Sequence, residues 1–242
     1  MKIDFSSYSE IGGRVKNEDA ILTYDAGKSI LAIVADGLGG HGYGEVASKI
    51  TTTTLATILQ NCPVSSEVLQ MAIQATNKAI IQQQDEKPGM KSTIATLWIA
   101  EGVARAAHVG DSRIYHFRDN KIIYQSMDHS LSQLDVLMGK MSYDDIRKSS
   151  NRNILTRALG SDLNLKAEIA MLDVQHNDSL LVCSDGFWEL IIEAEMLECL
   201  STSTTSSEWL DKMKKIVNKR NASFSDNHSA IALMITSDNG GN

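Results

Sequence analysis

Three apolar runs in this 242-residue chain each end on a carboxylate beside a glycine. Ile30 to Ala35 runs into Asp36-Gly37, Ala106 to Gly110 into Asp111, and Leu180 to Ser184 into Asp185-Gly186. A buried strand that stops repeatedly at an acid gathers carboxylates at one edge of a sheet. Crowded carboxylates repel one another and are costly to desolvate, so the pattern calls for a cation between them. The residues themselves point first to an oxygen-ligand metal site.

Any one Asp-Gly also reads as a two-residue hairpin turn, because both residues tolerate positive φ. The stretch from Asp36 to Gly44 resists that reading, with five glycines in nine residues. So much backbone freedom suits a loop that approaches a ligand closely.

The rest of the pattern sets the architecture. Strands are expected around 3–8, 20–24, 29–35, 93–100, 103–109, 113–118, 121–125, 167–172, 179–183 and 229–235. Ala100-Glu101-Gly102 and Asp119-Asn120 read as hairpin turns, which implies antiparallel pairing. Helical periodicity is clear in Val68, Leu69, Ala72, Ile73, Thr76, Ala79 and Ile80, after Ser65-Ser66 and before Pro88-Gly89. It recurs in Trp209, Leu210, Met213, Ile216 and Val217. A third helix is expected from Gly44 or Glu45 to about Gln60, against the low helix propensity of the Thr51–Thr54 run. Clustered strands and consecutive helices favour an α+β fold of antiparallel sheet with helices outside, over a βαβ parallel fold. No internal repeat or long linker divides residues 1–242, so a single domain is expected. The polar segment from about 131 to 153 reads as an inserted flap.

Composition narrows the function classes. There are 30 acidic against 23 Lys and Arg residues, a net charge of −7, which disfavours nucleic acid and anionic membrane as partners. No apolar stretch reaches eighteen residues and the amino terminus lacks a signal-peptide core, so a cytoplasmic protein is expected. Cys62, Cys183 and Cys199 have no C-x-x-C spacing and read as packing residues. The basic cluster Lys212, Lys214, Lys215, Lys219 and Arg220 reads as one solvated helix face.

Two further segments carry chemistry. Arg14-Val15-Lys16-Asn17-Glu18-Asp19, if extended, places Arg14 and Glu18 on one side. Near the carboxyl end, Ser225-Asp226-Asn227-His228 places another acid before the last apolar strand. In this order the segments resemble the metal-dependent serine/threonine protein phosphatases of the protein phosphatase 2C family, bacterial type. The resemblance is carried by Arg14-x-x-Asn17-Glu18-Asp19, Val34-Ala35-Asp36-Gly37-x-Gly39-Gly40-His41, Lys91-Ser92-Thr93 and His108-Val109-Gly110-Asp111-Ser112-Arg113. Asp128-His129-Ser130, Leu155-Thr156-Arg157-Ala158-Leu159-Gly160, Cys183-Ser184-Asp185-Gly186 and Asp226-Asn227 complete it.

The resemblance implies a four-layer α/β/β/α sandwich of two antiparallel sheets and a site for two Mn²⁺ or Mg²⁺ ions. It makes Asp36 the bridge between the ions, with the Gly37 carbonyl and Glu18 on one side, and Asp185 and Asp226 on the other. Asp19 would act through water, Asp111 with Asp185 would hold a third, weaker ion, and Arg14 would bind phosphate. The implied reaction is attack of a metal-bridged water on the phosphorus of phosphoserine or phosphothreonine in proteins. All-oxygen ligation suits hard cations, and no histidine–cysteine set offers zinc a better site. The implied partners are phosphorylated substrates of a cognate serine/threonine kinase, and the expected state is a monomer.

The chain departs from the family where many members place a general-acid histidine directly after Asp-Gly, because Leu38 stands there. His41 and metal-bound water are the remaining acids for the leaving alkoxide. Lys91-Ser92-Thr93 departs from the usual Gly-Ser-Thr, which bears on local backbone geometry. His108 reads as a hydrogen-bonded core residue and His129 as ordering the approach to the flap. Met138, Met141 and Tyr143 of the flap either contact substrate or pack the flap down. Two readings compete with the enzyme: a catalytically weak phosphatase-like binding module, which would have lost ligand acids, and a structural cation site.

Overall fold

The computed structural model describes residues 2–38, 42–221 and 225–236. The chain opens with strands β1 (Lys2–Glu10), β2 (Asp19–Asp25) and β3 (Ser29–Leu38), then helices α1 (Gly44–Leu59) and α2 (Ser66–Gln82). Short β4 (Lys91–Ser92) leads into two hairpins, β5 (Ile94–Ala100) with β6 (Val103–Val109) in one sheet and β7 (Arg113–Arg118) with β8 (Lys121–Gln125) in the other. After α3 (Leu131–Leu137) and a 3₁₀ turn (Tyr143–Lys148) come β9 (Glu168–Asp173) and β10 (Ser179–Cys183). The chain ends with α4 (Asp185–Trp188), α5 (Glu193–Ser201), α6 (Ser206–Arg220) and β11 (His228–Thr236).

Two antiparallel sheets result, ordered β1-β11-β10-β7-β8 and β2-β3-β5-β6-β9, with β4 pairing β3 off the second path. Strand parity explains the layers. In β3, Ile30, Ala32 and Val34 face the other sheet, where they meet Leu180, Val182, Ile231 and Leu233. The alternate residues Leu31 and Ile33 pack against Leu55, Leu69 and Ile73 of α1 and α2. A strand buried on both faces reads as the continuous apolar run seen in the sequence. On the far side, Tyr115, Phe117, Leu181 and Cys183 pack under Met196, Trp209, Met213 and Val217 of α5 and α6. The order is therefore helices, sheet, sheet, helices, as the resemblance implied.

Both expected hairpins form with paired left-handed residues, Glu101 at φ 53° with Gly102 at 77°, and Asp119 at 51° with Asn120 at 57°. The threonine run stays helical because its hydroxyls bond back within the helix, as Thr51 Oγ1 does to the Ala47 carbonyl at 2.9 Å. Ser65 caps α2 by accepting from Val68 N at 3.1 Å, and Thr205 caps α6 by accepting from Glu208 N at 3.2 Å. The basic face of α6 is less solvated than expected, since Lys214 pairs with Glu10 and Arg220 with Glu195. Its last turn carries Lys219 and Arg220, which complement the helix dipole. Met138 in the 131–153 segment is exposed, while Met141 and Tyr143 pack against the α5–α6 layer.

Candidate metal centre

The row of β3 that faces the other sheet ends in Asp36, so its carboxylate emerges where the gap between the sheets opens. The strand continues past the acid, and Gly37 and Leu38 pair with Ser92 and Lys91. Asp36 is thereby held firmly at its backbone. Its N–H donates to Thr93 Oγ1 at 2.9 Å, and its carbonyl accepts from Thr93 N at 2.8 Å and from Ser92 Oγ at 3.0 Å. The Lys91-Ser92-Thr93 segment thus seats the central acid despite its departure from the family sequence.

Close approach of backbones requires the next glycine. A Cβ on Gly37 would lie 2.0 Å from the Gly44 carbonyl oxygen, and one on Gly44 would lie 2.6 Å from Glu18 Oε1. Glu18 and the Gly37 carbonyl are thus packed side by side at the start of α1.

Asn227 fixes Glu18 from the other end of the chain. Its Oδ1 accepts from Glu18 N at 2.8 Å, and its Nδ2 donates to the carbonyls of Ile11 at 2.7 Å and Lys16 at 2.9 Å. Asp19 sits directly opposite Asp36 in the β2–β3 ladder. Its Oδ2 accepts from Ser184 Oγ at 2.7 Å, whereas Oδ1 is buried without a hydrogen-bond partner.

The Arg14 segment corrects an expectation. Residues 12–16 form turns and bends, so the extended geometry that would align Arg14 with Glu18 does not exist. Gly12 adopts φ +60° with its Cα against the Asp226 carbonyl, and Gly13 N donates to the Ser225 carbonyl at 3.1 Å. The turn delivers Arg14 to Asp226, with Nη2 to Oδ2 at 2.6 Å, while the arginine side chain stays 53% exposed.

Carboxylate oxygens of Asp36, Asp111 and Asp185 all lie within 4.8 Å of one another. Among the described residues no lysine or arginine forms an ion pair with any of the three. Burial, then the neighbouring charges of Asp185, Asp19 and Asp111, holds Asp36 well above the usual carboxylate range. Burial and then Asp111 and Asp226 do the same to Asp185. Asp111 is pushed up to about 8 by burial and by Asp128, and Asp19 to about 6 by burial against two serine hydroxyls. Asp36, Asp111 and Asp185 stay ionised at neutral pH only when a positive charge joins them.

The donor set suits a hard divalent cation: all oxygen, with Asp19 Oδ1 and Asp111 Oδ1 buried and unpartnered. His41, with Gly39 and Gly40, lies outside the described residues. Glu18, Asp19, Asp36, Gly37, Asp111, Asp185, Asp226 and Arg14 all gather at this end of the sandwich. The motifs that suggested the acids gave no role to Ser184, Thr93 and Trp188, whose contacts are made only in the folded chain.

A second group also meets within 4.8 Å, His108, His129 and Glu168. Its rings stack at 4.6 Å between centroids. His108 Nε2 contacts the Met127 carbonyl at 2.7 Å, and His129 Nδ1 accepts from Gly110 N at 3.1 Å. His108 lies in the core with a hydrogen bond, as read from sequence, and His129 stands two residues before the 131–153 segment.

An acid cluster of this kind, beside an exposed arginine at the mouth of a two-sheet sandwich, defines a metal-dependent hydrolase of anionic esters. The protein phosphatase 2C family model matches residues 8–228. A serine/threonine phosphatase of Listeria innocua is 32% identical over 232 residues, covering 92% of this chain and 88% of the relative. The Streptococcus agalactiae serine/threonine phosphatase superposes with a TM-score of 0.86 at 26% identity, over 97% of this chain and 100% of that one. The catalytic domain of the phosphatase PstP, solved in complex with two manganese ions, superposes at 0.84 with 26% identity, over 97% and 99%. The chain belongs to the protein phosphatase 2C family and is a metal-dependent protein phosphatase.

Proposed function

We propose that this protein removes phosphate from phosphoserine and phosphothreonine in proteins, as a single phosphatase domain whose 131–153 segment is the flap beside the site. The observation that carries the reading is the triad Asp36, Asp111 and Asp185 within 4.8 Å, buried or half-buried and unpaired by any basic side chain among the described residues. Two divalent ions, as in the manganese complex of PstP, would be held with Asp36 between them. Glu18 and the Gly37 carbonyl would serve one ion, Asp185 and Asp226 the other, with Asp19 acting through water. Asp111 and Asp185 would hold a third, weaker ion.

When bound, the ions supply an acidified water at neutral pH and offset phosphoryl charge. The chain supplies the rest. Thr93 and Ser92 prevent Asp36 from moving as charge shifts in the site, because three hydrogen bonds fix its peptide. Ser184 fixes Asp19 through Oδ2 and leaves Oδ1 buried without a hydrogen-bond partner. Arg14 keeps part of its donor fork toward solvent, where it would take two phosphoryl oxygens in the parallel arrangement that guanidinium favours. Leu38 carries no proton, so His41 is this chain's own candidate to protonate the leaving alkoxide, beside solvent water. The expected setting is the cytoplasm, as a monomer opposing a serine/threonine kinase; the described residues include no helix long and apolar enough to cross a membrane.

The test is release of inorganic phosphate from a phosphothreonine peptide with Mn²⁺ or Mg²⁺, in the wild type and in Asp36→Asn. Turnover by the wild type that the substitution abolishes is expected. A wild type inactive at every metal concentration would refute the proposal.

A further inference from the structure

We infer that Trp188 is a positioning residue for the Asp111–Asp185 carboxylate pair, setting the spacing at which those two side chains share a divalent cation. The inference rests on the metal-dependent phosphatase reading and concerns the weakest of its ion positions.

The argument begins where a β-ladder stops. Strands β7 and β10 pair as far as Arg113 opposite Cys183. Two residues further along the same register, Asp111 would stand opposite Asp185, but the ladder has no pair there. The two chains diverge: Asp111 follows Gly110, which turns with φ +104°, while Asp185 starts α4. Something other than sheet pairing must set the distance between two acids that repel each other.

Trp188 spans that break. It lies in α4 three residues after Asp185 and is 1% exposed. Its indole Nε1–H donates to the backbone carbonyl of Asp111 at 2.9 Å. The Arg113 guanidinium carbon lies 3.4 Å from the centre of the ring, and Arg113 grips Asp128 through two bonds of 2.8 and 2.7 Å. The Trp188 carbonyl in turn accepts from Arg147 Nε at 3.0 Å. Held at its face, its edge and its backbone, the indole has little freedom to let the Asp111 peptide drift. Asp111 Oδ1 is buried and unpartnered, and carboxylate oxygens of Asp111 and Asp185 lie within 4.8 Å of each other.

The donor is tested by Trp188→Phe, which keeps an aromatic ring against Arg113 but removes the N–H. Mn²⁺ is titrated calorimetrically without substrate into the wild type, Asp36→Asn, Asp111→Asn and Trp188→Phe. The wild type is expected to show a weak event that Asp111→Asn abolishes and a tighter one that Asp36→Asn abolishes. In Trp188→Phe the weak event should lose about tenfold in affinity, as outer-shell ligand partners do, while the tighter event shifts less than about twofold. An unshifted weak event overturns the inference, as does its absence from the wild type or an equal weakening of both events. If thermal melting shows that Trp188→Phe does not fold, 3-benzothienylalanine at position 188, an indole isostere without the N–H, is judged by the same criteria. Phosphopeptide turnover by the wild type is followed in parallel. Absent turnover strikes the phosphatase reading, whereas an unmoved weak event beside normal turnover strikes only the role of Trp188.

Discussion

Among the described residues two triads bring three metal-compatible side chains within 4.8 Å, and they differ in donor chemistry. In Asp36, Asp111 and Asp185 the clustered oxygens repel one another; the bonds that seat Asp36 and Asp111 go to their peptide atoms, while Asp185 Oδ1 accepts from Gly186 N at 2.7 Å. In His108, His129 and Glu168 one nitrogen of each ring is committed to the backbone, while His108 Nδ1 and His129 Nε2 are buried without a hydrogen-bond partner. His108 gives its Nε2 proton to the Met127 carbonyl, and His129 accepts the Gly110 N–H at Nδ1. Acceptance at Nδ1 leaves the His129 proton on Nε2, which faces Glu168 Oε2 at 3.5 Å, so that nitrogen has no lone pair for a cation. The triads differ in charge and in anchoring: one gathers three carboxylates, the other two stacked imidazoles, each tied to the backbone through one nitrogen, and a single acid.

The comparison breaks most sharply at Asp36. Outer-shell changes around metals cost about 10- to 100-fold, so Asp36→Asn should lower phosphopeptide turnover by more than about a hundredfold. Steady-state kinetics across a Mn²⁺ series checks this. Asp111→Asn should cost less, about tenfold at limiting Mn²⁺, and a larger loss than for Asp36→Asn would undo the ranking of the two acids.

The triads should also respond oppositely to pH. With metal removed by chelation, Asp111 binds its proton more tightly in the folded than in the unfolded chain. Its contribution to stability is present at low pH and lost as pH rises from about 4 to about 8. Melting temperature of the chelated protein should fall across that window, and less steeply in Asp111→Asn. His129 is driven down to about 3 by burial and by His108, so its neutral form is the folded one. Stability from this group is lost as pH falls from about 6.5 toward about 3. A melting profile without these opposed slopes would contradict the protonation states assigned to both groups.

The smallest effects belong to the histidine triad. His129→Ala removes the acceptor of a buried N–H and a stacked ring, and should cost about 1–3 kcal/mol in denaturant unfolding. Half-exposed Glu168→Gln should change stability by less than about 0.5 kcal/mol and leave Mn²⁺ titrations unaltered. Loss of bound metal in Glu168→Gln would show that the second triad holds an ion after all.

The difference between the triads also marks what a sequence discloses. Asp36, Asp111 and Asp185 were legible because each ends an apolar run beside a glycine. The layers were legible for the same reason, since β3 reads as apolar on both faces. Arg14 was misread because its turn depends on Gly12 lying against the Asp226 carbonyl, a contact between residues more than two hundred positions apart. His116 had no foreseeable partner, yet it bonds Asp178 at 2.8 Å across a register visible only in the sheet. Helix α5 went unnoticed because nine residues with Met196 and Cys199 as the buried positions give too short a period to stand out.

Asn227 carries a last consequence. One side chain joins Ile11, Lys16 and Glu18 to the segment before β11, and β11 pairs with β1 along its whole length. The seat of Glu18 is therefore complete only in a chain whose β11 has paired with β1. A nascent chain stalled before residue 226 would display Asp36 and Asp185 but lack the clamp on Glu18. Loss of β11 would therefore disturb the proposed metal ligand Glu18 as well as the sheet.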